Sequence, residues 1–279
     1  MIEVVRSVAD LRAALSPMRR NGTRIALVPT MGALHQGHLS LVEMAARAAP
    51  FVVVSLFVNP TQFAPHEDFA AYPRTEASDL AKLAGTATGL VFAPSVAEMY
   101  PEGDATTVSV GGPSAGLETE SRPHFFTGVA TVVAKLFLQC APDAALFGEK
   151  DYQQLLVIRR MVRDLALPIE ILGAPVIREA DGLALSSRNV YLSTEERRIA
   201  PALHRALQQA ATSVRQGAPI NRAETEGGRA LLAAGFASVD YLVIRDAETL
   251  APIETLARPA RILAAVRLGK TRLIDNIPL

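Results

Sequence analysis

The chain has 279 residues, with 28 Lys+Arg against 28 Asp+Glu, a single cysteine and 49% hydrophobic residues. A neutral balance without blocks of like charge argues against electrostatic capture of nucleic acid, and its apolar runs fall far short of the roughly 20 residues that cross a bilayer. One cysteine excludes an internal disulfide, and together with the lack of a signal-peptide pattern in MIEVVRSVAD it points to a soluble protein of a reducing cytoplasm.

In chain order, IALVPT (25–30), FVVVSLFV (51–58) and GLVFAP (89–94) are short branched apolar runs, the pattern of strands buried on both faces of a parallel sheet. Between them GHLSLVEMAARAA, from Gly37, places Leu39, Val42, Ala46 and Ala49 on one helical face, and Asp68 to Leu83 reads as a second crossover helix. The alternation resumes with a helix over 127–141 capped by Thr127, a strand at AALF (144–147), a helix over 151–165 and a strand at PIEIL (168–172). Cys140 falls in the apolar pattern of the first of these helices and reads as core. Alternating strand and helix implies an α/β fold, a Rossmann-like doubly wound parallel sheet, over residues 1–175. Beyond it, long helices over 194–216 and 222–234 precede strands at SVDYLVIRD, ARILAAVRLG and TRLIDNIPL. Helices followed by adjacent strands read as a smaller C-terminal α+β domain over 176–279.

PTMGALHQGHLS (29–40) concentrates His35 and His38, two of the five histidines, at the carboxyl end of the first long strand. In an open parallel sheet ligands bind there. Gly32 and Gly37 let the backbone turn tightly, and a helix starting near Gly37 offers N–H groups and partial positive charge to an anion. Two imidazoles three residues apart add donors where charge develops on a phosphoryl group. Metal ligation and a purely structural role are the other readings of the pair; no third ligand lies at a supporting local spacing.

Further along, Pro60 ends its strand for want of an N–H, so Asn59 and Gln62 of FVNPTQF (57–63) are expected to present neutral amides. In FGEKDYQQ (147–154) Lys150 sets a point cation after the next strand, and DGLALSSRN (181–189) combines a turn with two hydroxyls and the guanidinium of Arg188, a loop suited to triphosphate. No acidic pair forms a convincing metal cage.

The element His35-Gln36-Gly37-His38 resembles the HxGH signature of a nucleotidyltransferase superfamily. The longer string PTMGALHQGHLSLV, with FVNPTQF, FGEKDYQQ, READGLALSSRNVYL and LIDN in the same order, resembles the pantothenate synthetase (pantoate–β-alanine ligase) family. The resemblance implies an ATP-dependent ligase that joins pantoate to β-alanine through a pantoyl adenylate, releasing AMP and pyrophosphate. It implies ATP contacts from Met31, Gly32, Ala33, Leu34, His35, Gln36, Gly37 and His38, from Gly148, Glu149, Lys150 and Asp151, and from Ile177, Leu185, Ser186, Ser187 and Arg188. His38, His35, Lys150 and Arg188 would be catalytic, with His38 at the family's proton-donor position. Gln62, Gln154 and Asn59 would bind substrate, Mg²⁺ would arrive with ATP, no metal would be held by the protein itself, and the assembly would be a homodimer through the first domain. Many relatives read Arg-Pro-Gly-His-Phe where this chain has Arg122-Pro123-His124-Phe125-Phe126, so Arg122 and His124 stay outside the expected site. A dinucleotide-forming adenylyl transferase would share HxGH but not the later blocks. A tRNA-charging enzyme would need a basic anticodon-binding region, and a regulatory nucleotide-binding module would show no turnover.

Overall fold

The computed structural model describes residues 2–64 and 69–279. The chain divides into two compact units, one of residues 1–149 and 153–175, the other of residues 150–152 and 176–279. Among the described residues no helix is long and apolar enough to cross a membrane.

The first unit opens with β1 (Glu3–Val5) and α1 (Val8–Arg20), then β2 (Ile25–Thr30), α2 (Gln36–Ala48), β3 (Phe51–Leu56), α3 (Glu76–Leu83) and β4 (Thr88–Phe92). It continues with α4 (Val96–Met99), α5 (Glu118–Ser121), α6 (Phe125–Cys140), β5 (Ala144–Gly148), α7 (Tyr152–Asp164) and β6 (Glu170–Ala174). Tyr152, the first residue of α7, is grouped with the second unit.

The strands form a parallel six-stranded sheet in the order β1-β4-β3-β2-β5-β6. The apolar runs are the central strands: Ile25, Ala26, Leu27, Val28, Val53 and Val54 are all fully buried, as expected where helices cover both faces of a parallel sheet. Ala26 and Val28 pack with Leu41, Val42 and Ala45 of α2, and α6 lies against β2 and α1. The order reverses between β2 and β5, so their carboxyl ends, Thr30 and Gly148, flank the switch point at which such sheets bind ligands.

The second unit holds α8 (Thr194–Ile199), α9 (Ala202–Arg215), α10 (Ile220–Ala233) and an antiparallel three-stranded sheet of β7 (Ser238–Asp246), β8 (Ala260–Leu268) and β9 (Thr271–Pro278) in the order β7-β8-β9. Helices α9 and α10 bury Leu203, Ala206, Leu207 and Leu231 against Leu242, Ile262 and Val266 of the sheet. The α/β sheet with a smaller α+β part is the expected fold class.

Several element ends differ from the sequence reading. The helix expected over 194–216 is broken at Ala200-Pro201 because proline has no N–H to donate and its ring crowds the preceding turn. The helix expected from Thr127 begins at Phe125, and Thr127 lies inside it as a backbone acceptor for the Thr131 hydroxyl; burial of Phe125 and Phe126 draws the first turn into the core. The crossover helix expected from Asp68 starts only at Glu76. Asp68 itself lies outside the described residues, and Pro73 disfavours helix at the residue before it. Cys140 is buried as read, and burial pushes its thiol up to about 12.

Candidate active site

The loop after β2 is built from the inside. Thr30, at the end of β2, donates its hydroxyl to Ser55 O at 2.7 Å and accepts the Gly32 N–H at 3.2 Å. Gly32 (φ 78°) and Ala33 (φ 50°) both adopt left-handed backbone, a conformation that costs a non-glycine residue on the order of 1 kcal/mol. Asp79 of α3 offsets that cost: its carboxylate, 1% exposed, accepts the Ala33 N–H at 2.9 Å and the Leu34 N–H at 2.8 Å. Lys82, one turn further along α3, donates to Leu34 O at 2.7 Å.

His35 is the N-cap of α2. Its Nδ1 accepts the Gly37 N–H at 3.2 Å, and His38 Nδ1 accepts the His35 N–H at 3.3 Å, a reciprocal capping box made of imidazoles. An Nδ1 that accepts a hydrogen bond carries no proton, so each neutral ring holds its N–H at Nε2. The two ring centroids lie 4.1 Å apart. Of the backbone N–H groups expected to face an anion, that of Gly37 goes to His35 Nδ1, and in the loop before it those of Gly32, Ala33, Leu34 and His35 also go to protein acceptors. These five donors hold the loop's shape, so the imidazoles carry much of what the motif can offer a ligand.

The turn after β3 is similarly braced. Asn59 is 1% exposed; its Oδ1 accepts from the Thr61 N–H and hydroxyl and from the Tyr100 phenol, while its amide donates to Gln62 Oε1 at 3.1 Å and to Gly128 O at 3.2 Å. Burial pushes the Tyr100 phenol up, which keeps its proton in place for that bond. The expectation that Asn59 presents its amide to a ligand therefore meets a different arrangement, in which that amide is consumed in shaping the Gln62 turn. Gln62 Nε2 in turn donates to Met31 Sδ at 3.0 Å, bringing the two sequence blocks together. Gly128 of α6 is required by this turn: a Cβ there would sit 2.4 Å from Thr61 O. Arg122, left out of the expected site, donates to Gln62 O at 3.0 Å, lies 3.9 Å from Glu118 and stacks over Phe125.

At the end of β5, Gly148 leads into a 3-10 turn over Glu149–Asp151. Gln154 follows in the first turn of α7, half-buried, while its neighbour Gln153 is turned inward to hold Glu118 N and the carbonyls of Pro113 and Gly116.

In the second unit, residues 177–185 form a short hairpin about the expected Asp181-Gly182 turn. Leu185 N bonds Ile177 O at 2.9 Å and Glu179 N bonds Leu183 O at 2.8 Å. Arg197 clamps the hairpin through Glu179 and through Asp181, whose carboxyl it holds below the usual range. Ser186 then caps a 3-10 turn over Ser187–Tyr191, its hydroxyl accepting the Arg188 N–H at 3.3 Å. Lys150 and Asp151 of the same unit lie 3.9 Å apart. Among the described residues no group of three or more His, Cys, Asp or Glu side chains is placed to hold a metal ion.

Sequence reasoning missed Asp79, Lys82, Tyr100 and Gly128. Each acts on backbone or on another side chain far away in sequence, and nothing in the local pattern marks it.

The family model described as pantoate-beta-alanine ligase matches residues 3–278. The chain belongs to the pantoate–β-alanine ligase family. The pantothenate synthetase of Paramagnetospirillum magneticum is 60% identical over 276 residues, covering 99% of this chain and 97% of the relative. The crystal structure of the Thermus thermophilus pantothenate synthetase superposes with a TM-score of 0.94 at 53% identity, covering 99% of both chains. The Francisella tularensis pantoate-beta-alanine ligase, solved with β-γ ATP and β-alanine, gives 0.84 at 32% identity, covering 99% of this chain and 97% of that one. Membership of this ligase family thus extends over both units.

Proposed function

We propose that this chain joins pantoate to β-alanine at the expense of ATP, through a pantoyl adenylate. A carboxylate oxygen of pantoate attacks the α-phosphorus; the bond from that phosphorus to the β-phosphate bridging oxygen breaks, and pyrophosphate leaves. The amine of β-alanine then attacks the acyl carbon, loses a proton, and AMP departs to leave pantothenate. Catalysis of the first step is mostly positioning and stabilisation of charge on the phosphoryl oxygens.

The observation that carries this reading is the imidazole capping box. With both Nδ1 atoms held as acceptors, His35 and His38 are fixed as Nε2–H donors, the form required to bond phosphoryl oxygens as charge grows there. In this reading Met31 to His38 and Gly148 to Asp151 line the ATP site, with Lys150 and Arg188 as further catalytic cations. Ser186 and Ser187 contact phosphate, Ile177 and Leu185 face the adenine, and Mg²⁺ enters with ATP. Gln62 and Gln154 bind pantoate, with Asn59 bracing Gln62. Residues 1–175 act as the nucleotide- and pantoate-binding domain, residues 176–279 as a lid domain, and the enzyme works in the cytoplasm as a homodimer.

Incubation with pantoate, β-alanine and ATP is expected to yield pantothenate, AMP and pyrophosphate in equal amounts, with ATP–pyrophosphate exchange dependent on pantoate. Exchange that proceeds without pantoate, or product with ADP in place of AMP, would refute the adenylate route. A monomeric mass by light scattering would refute the dimer.

A further inference from the structure

The LIDN block ends in Asp275 and Asn276, consecutive residues of β9 that are 3% and 2% exposed. Buried polar side chains in a small domain need partners, and successive side chains of a strand leave on opposite faces, so neighbours can serve two different segments. These two do. Asn276 Nδ2 donates to the carbonyl of Lys150 at 2.8 Å, and its Oδ1 accepts from Arg261 Nε at 2.7 Å. Arg261 lies over the Tyr152 ring at 3.9 Å, and the Tyr152 hydroxyl donates to Ala247 O at 2.8 Å. The short segment 150–152 is therefore fixed to the C-terminal sheet by hydrogen bonds and a stacked ring.

Asp275 takes the other segment. Its two oxygens accept a bidentate pair of bonds from Arg178 at 2.6 and 2.9 Å, the geometry in which a guanidinium is most firmly oriented. Arg178 also donates to Gly182 O at 3.0 Å and to Asn276 O at 3.2 Å, spanning the hairpin from its first strand to its turn. That hairpin runs straight into Ser186, Ser187 and Arg188.

We propose that Asp275 and Asn276 are positioning residues for the adenylation step: one dipeptide sets the main chain at Lys150 and, through Arg178, the hairpin that carries Arg188, so both cations are referenced to a single point on β9. This rests on the reading of Lys150 and Arg188 as phosphate-binding groups.

The test is pantoate-dependent ATP–pyrophosphate exchange in Asn276→Asp and Asp275→Asn, each made in the native chain and in Lys150→Ala and Arg188→Ala backgrounds. Asn276→Asp keeps the side chain's shape and its acceptor for Arg261 but sets an oxygen against the Lys150 carbonyl. It is expected to slow exchange by roughly 10- to 100-fold, the cost of a displacement of about 1 Å, and to add little once Lys150 is already alanine while keeping its full effect in Arg188→Ala. Asp275→Asn is expected to show the mirror pattern, since residues that act through one another are not additive. Should Asp275→Asn not fold, Arg178→Lys, which keeps the charge but not the fork, goes through the same comparison. Equal losses in every background would mean a merely structural role and overturn the proposal, as would unchanged exchange in both variants. If Lys150→Ala and Arg188→Ala alone leave exchange at the native rate, the phosphate reading itself fails, and the proposal with it.

Discussion

Asp79 and Leu34 stand 45 positions apart in the chain, yet the buried carboxylate of one accepts the backbone N–H of the other at 2.8 Å. The second oxygen does the same for Ala33, so one side chain holds two amides of a loop whose backbone is left-handed at Gly32 and Ala33. Asp79→Asn can keep one of these bonds but opposes an N–H to the other. The expected outcome is a loss of about 1.5–3 kcal/mol in urea unfolding, together with at least a tenfold fall in ATP–pyrophosphate exchange. Exchange at the native rate in a folded variant would show that loop geometry is not limiting.

His38→Ala removes an Nε2–H donor together with the acceptor of the His35 N–H. The fold is expected to persist, because α2 keeps the packing of Leu41, Val42 and Ala45. Exchange is expected to fall by roughly 10² to 10³ fold, the usual loss for one donor to a developing oxyanion. Circular dichroism with exchange kinetics checks both halves.

Gly128→Ala probes the Gln62 turn without touching Gln62. The added methyl meets Thr61 O at 2.4 Å and Gln62 N at 2.9 Å, backbone atoms that move only with the turn itself. Overpacking of this kind costs about 1–3 kcal/mol. A rise in KM for pantoate with little change in KM for ATP is expected from steady-state kinetics; equal rises in both would place the turn's influence elsewhere.

His204 gives stability a dependence on pH. Burial holds its imidazole below the ordinary histidine value, the neighbouring Arg178 pushes the same way, and Asp275, 3.7 Å from Nδ1, offsets them only in part. The unfolded chain then takes up the proton first, so the stability associated with neutral His204 is complete above about pH 6.5 and is lost as pH falls through the depressed native value. In urea unfolding between pH 7.5 and 5, His204→Gln should lose less stability with acid than the native chain. Identical slopes would count against the assignment.

Legibility in the sequence followed a physical divide. The strands at Ile25–Thr30 and Phe51–Leu56 were readable because both their faces are buried, which demands unbroken branched apolar runs. Strand β1, of three residues, is too short to show a period; α1 does repeat Val8, Leu11, Leu15 and Met18 at helical spacing, but Pro17 inside it argues against a helix. Within the site, HxGH and the Asp181-Gly182 turn were visible because their partners are two to four residues away. Asp79 was not: an acidic residue in the first turn of a helix reads as a partner for the helix dipole, and only the tertiary fold reveals that it serves a distant loop. Asn59 read as a ligand-facing amide for the same reason in reverse, since the Tyr100 and Gly128 that occupy it lie far along the chain.

The grouping of residues 150–152 with the C-terminal part bears on how the gene can be recombined. A chimera spliced at residue 175 would draw Lys150-Asp151-Tyr152 from one parent and the Arg261 and Asn276 that hold this segment from the other. Exchange of halves between relatives is expected to succeed where these residues match in both parents, and elsewhere only when that tripeptide travels with the tail, a rule that no inspection of linear boundaries would supply.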